Sequence, residues 1–330
     1  MRRCDIAVLT NQARSIRQYR FYPPIMRLVR SYLPRERRDP DPEAVGGHYG
    51  VTRSLIRGLR LLGADFLYAP KLERTSARVA AVLSGADKLR EAIEWKRRGG
   101  CELLLAGPNV ADGPDQHGGL MLSPEIDRAI LASDKMREIF ERREPKFANR
   151  ISVWPAGVDD DYWKPSGRGT RDTILIYEKR MPALGRELLA KLQERAKRVE
   201  ILHYGEKRRD KYKLYEFRNA LDRASCCVML TLDEPQGLAA SEAWSMNVPT
   251  FAFRAEKVKD HDTIPYLTPA TGQYWSSFEE LLVLLGGLSK AQYRPREWVL
   301  QHMTDEICAR KLLEIADDVY SRRTGGKVRV

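Results

Sequence analysis

Cysteine is scarce in this chain of 330 residues, which contains only five. None of them forms a C-x-x-C pair, and the odd number argues against both a disulfide framework and a zinc site. Cys226 and Cys227 lie inside an apolar run, so we predict that both are core residues. This cysteine usage is typical of a reducing compartment, and we therefore expect a cytoplasmic protein.

Long apolar segments are missing as well. No run approaches the roughly 20 residues that a helix needs to cross a bilayer. The N-terminal stretch MRRCDIAVLTNQARS has only a short apolar run, whereas a signal peptide has about 7–15 apolar residues and a small-residue cleavage site. We expect no membrane-spanning segment, and residues 6–9 (IAVL) are predicted to form the first β-strand.

Two sequence patterns of other protein classes are also absent. The G-x-G-x-x-G motif follows neither IAVL nor TILIY (173–177), which argues against a dinucleotide-dependent dehydrogenase. No internal repeat of solenoid period is visible. The chain exceeds the length that one hydrophobic core usually spans, and its 43% hydrophobic and 31% charged residues suit a folded protein. Two domains are therefore expected.

Short apolar strands alternate with helical patterns along the chain, which predicts βαβ units and parallel sheets. In the first half we predict strands at 6–9, 66–69, 101–110 and 151–158, and helices at 52–63, 77–83, 88–98 and 125–143, the last interrupted near Ser133. In the second half we predict strands at 173–177, 199–205, 226–232 and 248–253, and helices at 182–198, 213–224 and 277–288.

The alternation restarts after the linker-like sequence KPSGRG at 164–169. The predicted domains are therefore 1–165 and 166–304. An amphipathic helix at 305–323 is expected to pack back on the first domain, and 324–330 is expected to be a disordered tail.

The stretch DEPQGLAASEAWSMNVPTFAF (233–253) carries the clearest sign of chemistry. It places a loop and a helix after the strand CCVMLTL, at the strand end where parallel-sheet proteins bind ligands. Gly237 and the alanines leave the helix start uncluttered, so its amides and dipole would favour a diphosphate. Glu242 is placed to accept hydrogen bonds from ribose hydroxyls. Glu234 is placed to accept them from the hydroxyls of a sugar beyond the phosphates. The stretch predicts a nucleotide-sugar site.

The same stretch resembles the E-x7-E signature of retaining, GT-B-fold glycosyltransferases of the family 4 type. Four further segments resemble that family in the same order: 46–65 its glycine loop and helix, 151–165 the passage into the second domain, 173–180 the strand with the diphosphate clamp, and 203–205 the next strand end. The resemblance implies an α/β protein of two Rossmann-like parallel-sheet domains that face a cleft. The first domain would bind the acceptor and the second the donor.

The resemblance also implies an activity. A sugar would pass from a nucleoside diphosphate to an acceptor hydroxyl on a glycan, a glycolipid or a lipid-linked sugar, with retention of configuration and without a metal or another cofactor. The residues that it assigns are these: Glu234, Lys179, Arg180 and His117 to catalysis; Gln236, Gly237, Leu238, Glu242, Gly205, Arg186, Gly46 and Gly47 to the donor; His48 and Asn109 to the acceptor side. His48 is also a rival to His117 for contact with the donor sugar.

The diphosphate clamp departs from the family pattern of Gly-Arg followed by Lys-Gly. Aligned on Gly185, this chain has Lys179 at the arginine position and Leu184 at the lysine position. Lys179 or Arg180 would carry one of the two charges, and Arg186 would supply the other. The departure leaves a second interpretation open, a non-catalytic GT-B-like module that binds a nucleotide or a glycan.

The net charge of +12 indicates anionic partners, which could be nucleic acid, an anionic membrane surface or phosphorylated substrates. Residues 13–38 contain eight arginines, with no acid before Glu36. They are either an exposed basic helix and loop or a patch that binds anionic lipid on the inner face of a membrane. No segment resembles a nucleic-acid-reading module, so no nucleic-acid partner is expected. The Asp159-Asp160-Asp161 run could hold a metal ion, but its neighbours favour an interdomain turn.

Overall fold

The computed structural model describes residues 2–11, 46–168, 170–195, 198–205, 212–254 and 263–324. The basic segment 13–38 and the tail 325–330 lie outside these residues, so the predictions made for them stay predictions. Among the described residues, no helix combines the length and the apolar character that crossing a membrane requires. The chain divides into two compact units, with 2–11, 46–157 and 305–324 in the first and 158–304 in the second.

The first unit is built on a parallel sheet of six strands, in the order β2-β1-β3-β4-β5-β6. The strands are β1 (Arg2–Thr10), β2 (Phe66–Tyr68), β3 (Thr75–Ser84), β4 (Cys101–Asn109), β5 (Arg128–Leu131) and β6 (Ile151–Val153). The helices are α1 (Gly47–Leu61), α2 (Ala86–Arg97), α3 (Asp134–Arg143) and the C-terminal helix (Asp305–Thr324), with 3-10 turns at Leu72–Arg74, Leu120–Leu122 and Pro145–Arg150.

The helix predicted at 77–83 is wrong, because these residues form most of β3. Ala80 to Leu83 are fully buried, since β3 lies between β1 and β4 in the sheet and contacts the helices α1 and α2. A strand buried on both faces has no polar–apolar alternation, and its pattern alone does not distinguish it from a buried helix.

The helix predicted at 125–143 is wrong in its first half. Residues Arg128–Leu131 form strand β5, and helix α3 begins only after Ser133. The Ser133 hydroxyl accepts a hydrogen bond from the Met136 amide, 3.4 Å away. Serine in this position is a strong start signal for a helix, so the interruption expected near Ser133 is the boundary between a strand and a helix.

The C-terminal helix belongs to the first unit, where it packs against α1. The two helices lie close together at Gly58, which is next to the backbone of Asp305. The Arg57 guanidinium pairs with the Asp305 carboxylate at 3.4 Å. The buried indole of Trp154 donates to the carbonyl oxygen of Cys308 at 2.7 Å. These contacts tie the last helix of the chain to the first helix and to the end of β6.

The chain passes from one unit to the other between Gly157 and Val158, rather than after residue 165. The Gly157 amide donates to the Ser54 hydroxyl in the first unit at 2.7 Å. The next amide, that of Val158, donates to the Met303 carbonyl in the second unit at 2.9 Å. Trp163 is already buried against Phe217. Residues 158–165 therefore pack with the second unit, and the boundary between the units lies before the linker-like sequence at 164–169.

The second unit is built on a parallel sheet of five strands, in the order β11-β10-β9-β7-β8. The strands are β7 (Thr173–Lys179), β8 (Val199–His203), β9 (Ala224–Thr231), β10 (Thr250–Phe253) and β11 (Gly272–Trp275). The helices are α4 (Pro182–Gln193), α5 (Leu214–Arg223), α6 (Leu238–Ser245), α7 (Phe278–Gly287) and α8 (Pro295–His302). Cys226 and Cys227 are fully buried in β9, as predicted, whereas β11 and α8 are absent from the sequence-based assignment.

Replacing Gly58 by alanine should lower the free energy of unfolding by about 1–3 kcal/mol, the usual cost of overpacking. The new Cβ atom would lie 2.2 Å from the carbonyl oxygen of Asp305 and 2.5 Å from Cβ of Ala309. This clash outweighs the gain in helix propensity, which is at most about 1 kcal/mol. Chemical denaturation measures the change.

The matched control is Gly286→Ala in α7, where a new Cβ atom would have no heavy atom within 4 Å. Only the propensity gain applies there, so stability should stay the same or rise. Equal changes in the two variants would contradict the close packing of the C-terminal helix on α1.

Candidate functional site

The second sheet has a topological switch point between β7 and β9. The chain leaves β7 towards β8 on one side and returns to β9 on the other. Parallel-sheet proteins bind ligands outside the carboxyl ends of the strands at such a point, because the two connections diverge and leave a crevice. Here β7 ends at Lys179 and β9 at Thr231, and these two residues are register partners.

An ion pair lies at this switch point. The Lys179 ammonium contacts both carboxylate oxygens of Glu234, at 2.7 and 3.0 Å. The same ammonium lies over the Tyr204 ring, 5.2 Å from its centroid, in the geometry of a cation–π contact. The Glu234 amide donates to the carbonyl oxygen of Thr263 at 3.1 Å. A cation and a carboxylate from opposite sides of the switch point are therefore held together.

Helix α6 begins directly after this pair. Gly237 precedes it with φ of 84°, a left-handed conformation that favours glycine. Its carbonyl oxygen accepts from the Ala240 amide at 2.9 Å, which starts the helical ladder. The first turn has no acidic side chain, and Gln236 is buried just before it. The amides at the start of α6, from Leu238 onward, thus form a positive helix end suited to an anion.

Glu242 lies one turn inside α6 and is half-buried. Its carboxylate and that of Glu234 both act on Tyr177, whose pKa is raised well above its usual range, mainly by burial and further by these two charges. Burial likewise raises the pKa of Tyr212, with Tyr177 and Glu242 adding to the effect. The two carboxylates of the E-x7-E stretch therefore flank one buried group of tyrosines at the carboxyl edge of the sheet.

Glu178, at the end of β7, stabilises the turn that follows this strand. Its carboxylate accepts from the Met181 amide at 2.5 Å and lies 2.7 Å from His203 Nδ1. Because neighbouring residues of a strand point to opposite faces, Glu178 lies on the α4 side and Lys179 on the α6 side. A Cβ atom at Gly185 would lie 2.9 Å from Glu178 Cγ, so α4 packs closely on this carboxylate.

The other predicted clamp residues lie around this turn. Arg180 is exposed and has φ of 68°, which is strained for a residue with a side chain. Arg186 is exposed on α4, Leu184 is half-buried there, and Gly205 is half-buried after β8. The structure thus places two guanidinium groups near the end of β7 but fixes neither by a described ion pair.

The remaining predicted residues belong to the first unit. Gly46 and Gly47 form the start of α1, followed by the exposed His48. His117 is exposed in the turn Gln116–Gly119 after β4, with φ of 55°. Asn109 ends β4, and its side-chain nitrogen is buried. These residues lie at the carboxyl edge of the first sheet, and their roles stay predictions.

The Asp159 to Asp161 run forms a turn. The Asp159 carboxylate accepts from the amides of Asp161 and Tyr162, at 3.2 and 2.9 Å, and its carbonyl accepts from the Trp163 amide at 2.8 Å. Within the described ranges, no group of three or more His, Cys, Asp or Glu side chains has the arrangement that a metal ion needs.

Sequence reasoning missed several residues at the switch point of the second unit. Tyr177, Tyr212 and Thr231 lie among or beside the two carboxylates, and Arg254 follows β10 with its guanidinium 4.6 Å from the Tyr274 ring centroid. The Thr231 hydroxyl is buried and has no hydrogen-bond partner among the described residues. Thr231 and Arg254 could have been found by taking the residue at the end of each predicted strand, whereas the tyrosines required the packing.

A scan against models of protein families finds no match, and neither does a search of curated proteins. Solved structures are similar over nearly the whole chain. A sucrose-phosphate synthase from Thermosynechococcus elongatus is 13% identical, with 96% of this chain and 100% of that one covered and a TM-score of 0.65. A glycosyltransferase from Rickettsia africae ESF-5 is 11% identical, with 97% and 99% covered and a TM-score of 0.57.

A third structure, Anabaena HepE in complex with UDP and glucose, is 11% identical, with 94% of this chain and 99% of that one covered and a TM-score of 0.54. At such identities the likeness concerns the fold. The chain therefore has the GT-B fold of these glycosyltransferases, with two Rossmann-like domains built on parallel sheets of six and five strands.

Proposed function

We propose that the protein is a glycosyltransferase that moves a sugar from a nucleoside diphosphate to an acceptor hydroxyl. The observation that carries the proposal is the Lys179–Glu234 ion pair at the switch point of the second unit, next to the start of α6, whose first turn has no acidic side chain. A cation and a helix N-terminus together suit a diphosphate, and Glu242 in the same helix suits a ribose. The likeness to GT-B glycosyltransferases supports the same assignment.

The proposed chemistry is electrostatic. As the bond between the sugar and the diphosphate breaks, negative charge develops on the leaving diphosphate. The amides of Gly237 and Leu238 and the ammonium of Lys179 would stabilise that charge, with Arg180 and Arg186 as further cations. Fixed positive groups of this kind replace a metal ion, so we propose transfer that is independent of metal. Glu234 would keep its contact with Lys179 in the complex and accept a hydrogen bond from a sugar hydroxyl through its remaining lone pairs.

The uridine nucleotides are the first candidates for the donor. HepE has the same fold and has been crystallised with UDP and with UDP-glucose. The stereochemical outcome that we propose is retention, on the resemblance of the Glu234–Glu242 stretch to retaining enzymes. The proposed acceptor is a glycan or a lipid-linked sugar.

A second candidate function is a non-catalytic module that binds a nucleotide or a glycan. Leu184 favours it, because the resembling enzymes have a lysine at that position and this chain has an apolar, half-buried side chain. In that case the protein would bind the donor nucleotide without releasing it from the sugar.

A thermal-shift panel with UDP, GDP, ADP, dTDP and CMP, in the presence of a chelator, tests the proposal. A ligand at about 100 times its Kd stabilises the folded protein by roughly 2.7 kcal/mol, which is readily seen. A preference for one nucleoside diphosphate supports the site. The sugar conjugate of that nucleotide then distinguishes the two functions, because the enzyme would slowly release the nucleotide from the sugar and the non-catalytic module would not. Silence with all five nucleotides would contradict the enzyme and the nucleotide-binding module, and would leave only a module that binds a glycan.

Replacing Glu242 by glutamine should weaken binding of the preferred nucleoside diphosphate by roughly 10- to 100-fold. The variant loses the charged acceptor for two ribose hydroxyls, and hydrogen bonds to charged groups contribute about 1.5–3 kcal/mol each. Isothermal titration calorimetry measures the change. The matched control is Glu279→Gln on the exposed start of α7, which should leave the affinity unchanged. Equal affinity in both variants would refute the ribose assignment.

Replacing Lys179 by methionine should lower the rate of nucleotide release from the sugar donor by roughly 10²–10³-fold, the effect of losing one preorganised charge at a leaving group. Lys179→Arg keeps the positive charge and should retain much of the rate. Lys191→Met is the control, because Lys191 is exposed and pairs with Glu187 within α4. A normal rate in Lys179→Met would remove this cation from the mechanism.

Replacing Arg180 by glycine should separate stability from binding. Glycine relieves the left-handed strain at φ of 68°, which costs about 1–2 kcal/mol in other residues, so the free energy of unfolding should not fall. Affinity for the nucleoside diphosphate should weaken about tenfold through the lost charge. Arg180→Lys keeps the charge and should keep most of the affinity. A loss of stability together with unchanged affinity would show that Arg180 serves the turn alone.

A further inference from the structure

The amino edge of the first sheet carries a group of arginines that the proposed function does not use. Arg128 is the first residue of β5, and Arg150 directly precedes β6. Arg322 and Arg323 lie at the end of the C-terminal helix. Because the strands are parallel, this edge lies opposite the carboxyl edge, where Asn109 ends β4. The group therefore shares no residue with the candidate donor site or with the predicted acceptor side.

Contacts among the described residues bring these arginines together. The Nη1 atom of Arg128 donates to the carbonyl oxygen of Asn149 at 2.8 Å, and Asn149 immediately precedes Arg150. Arg323 Nη1 lies 3.5 Å from the carboxylate of Asp127, which immediately precedes Arg128. The start of β5, the start of β6 and the end of the C-terminal helix therefore meet at this edge.

Arg128 is a buried cation without a carboxylate partner. Its relative exposure is 9%, and the described residues include no carboxylate at ion-pair distance from it. Its Nε atom is buried and has no hydrogen-bond partner within the same residues. Buried charges in proteins are normally paired, because an unpaired one costs stability. The position of this guanidinium therefore calls for an explanation other than stability.

Two carboxylates of this edge are already paired with other cations. Asp127 contacts the ammonium of Lys96 and the guanidinium of Arg323. Asp318 pairs with Arg322, one helical turn further along the C-terminal helix, at 2.9 Å. Neither carboxylate forms an ion pair with the buried guanidinium at the start of β5.

Positive charge is therefore in excess around Arg128. Burial lowers the pKa of Arg128 below its usual range, and the charges of Arg322 and Arg150 lower it further. Asp318 and Asp127 act in the opposite direction without reversing the effect. The Arg150 guanidinium donates to backbone carbonyl oxygens and forms no described ion pair either. A bound anion would offset the repulsion among these guanidinium groups.

The unpaired edge of the Arg128 guanidinium suits an oxyanion. Nη1 donates to a backbone carbonyl, whereas no described hydrogen bond involves Nε or Nη2. Two adjacent N–H groups of an arginine bind two oxygens of a carboxylate or a phosphate. The exposed Arg322 uses only Nε for its bond to Asp318, so its other N–H groups can contact the same anion. A phosphate offers the additional oxygens and the second charge that two guanidinium groups require, whereas a carboxylate does not.

We propose that Arg128 and Arg322 bind a phosphate group at the amino edge of the first sheet, between the start of β5 and the end of the C-terminal helix. Its source is either a soluble phosphate anion or the phosphomonoester headgroup of a lipid, since the recognition chemistry is the same for both. The inference is independent of the proposed function, because it uses none of the donor or acceptor residues. A bound phosphate links the last helix to the sheet and thereby stabilises the first unit.

Thermal unfolding of the full chain with increasing inorganic phosphate, at an ionic strength kept constant with chloride, tests the inference. The unfolding temperature of the wild type should rise with phosphate. In Arg128→Met the affinity for phosphate should be at least tenfold lower, because the two N–H groups are lost. Arg90→Met is the matched control, since Arg90 is exposed on α2 of the same unit and pairs with Asp87. It should respond as the wild type does.

The unfolding temperatures in chloride alone separate binding from folding. Replacing an unpaired buried charge by an apolar side chain of similar size is often neutral or stabilising, so Arg128→Met should unfold at the same or a higher temperature. Asp318→Asn should bind phosphate roughly threefold more tightly, because it removes a negative charge that pairs with Arg322. A lower unfolding temperature in Arg128→Met together with an unchanged phosphate response would overturn the inference and assign Arg128 to the fold alone.

Vesicle co-sedimentation distinguishes the two sources of the phosphate. Vesicles of phosphatidylcholine with phosphatidic acid carry the phosphomonoester, and vesicles of phosphatidylcholine alone are the control. Binding to the first kind that Arg128→Met abolishes identifies a lipid headgroup. A response to inorganic phosphate without vesicle binding identifies a soluble anion. A wild type that responds to neither, or vesicle binding that persists in Arg128→Met without any phosphate response, would overturn the inference.

Titration with UDP keeps this site apart from the proposed donor site. Arg128→Met should bind UDP as the wild type does while it loses the phosphate response. Equal phosphate responses in the wild type and Arg128→Met, with UDP bound by both, would overturn the inference and leave the proposed function standing. A protein that binds phosphate through Arg128 but binds no nucleotide would uphold the phosphate site and contradict the proposed function.

Discussion

The ion pair between Lys179 and Glu234 is the interaction on which the candidate donor site depends. It joins the last residue of β7 to the loop after β9, across the point where the strand order reverses. Without a partner on the far side, a lysine at this position would be a flexible surface cation. With both carboxylate oxygens of Glu234 in contact, its ammonium is fixed beside the start of α6. A fixed charge stabilises a developing anion more than a mobile one, because it needs no reorganisation when the charge appears.

Because side chains alternate between the two faces of a strand, adjacent residues of β7 have different roles. Lys179 lies on the α6 side, and Glu178 lies on the α4 side, where it accepts the Met181 amide and contacts His203. The buried Glu178 carboxylate stabilises the turn after β7, and Arg180 has a left-handed backbone conformation in this turn. Such strain persists only where the surroundings impose it, and it is concentrated at functional sites. Glu178 therefore builds the turn from one face of β7, while the cation that follows it lies on the other face.

The sequence indicated the architecture well because parallel sheets are built from a regular alternation of strands and helices. It failed where burial on both faces removes that signal, as in β3, and where a short strand such as β5 runs into a helix. The sequence placed Lys179 and Glu234 after predicted strands of the same sheet, but it did not predict that the two side chains pair. The tyrosines around Glu242 were not, because Tyr177 and Tyr212 are separated in sequence and meet only through packing. Unpaired atoms such as Arg128 Nε have no sequence signal at all, because pairing is a property of three-dimensional neighbours.

The two switch points differ in the polar groups that lie at their strand ends. The one in the second unit has a cation, a helix start free of acidic side chains and two carboxylates, a combination that suits a diphosphate followed by hydroxyl-bearing sugars. The one in the first unit, between β1 and β3, has the hydroxyls of Thr10 and Ser84, which lie 2.7 Å apart. The fixed cation and the helix start free of acidic side chains therefore distinguish the strand-end edge for which we propose the donor.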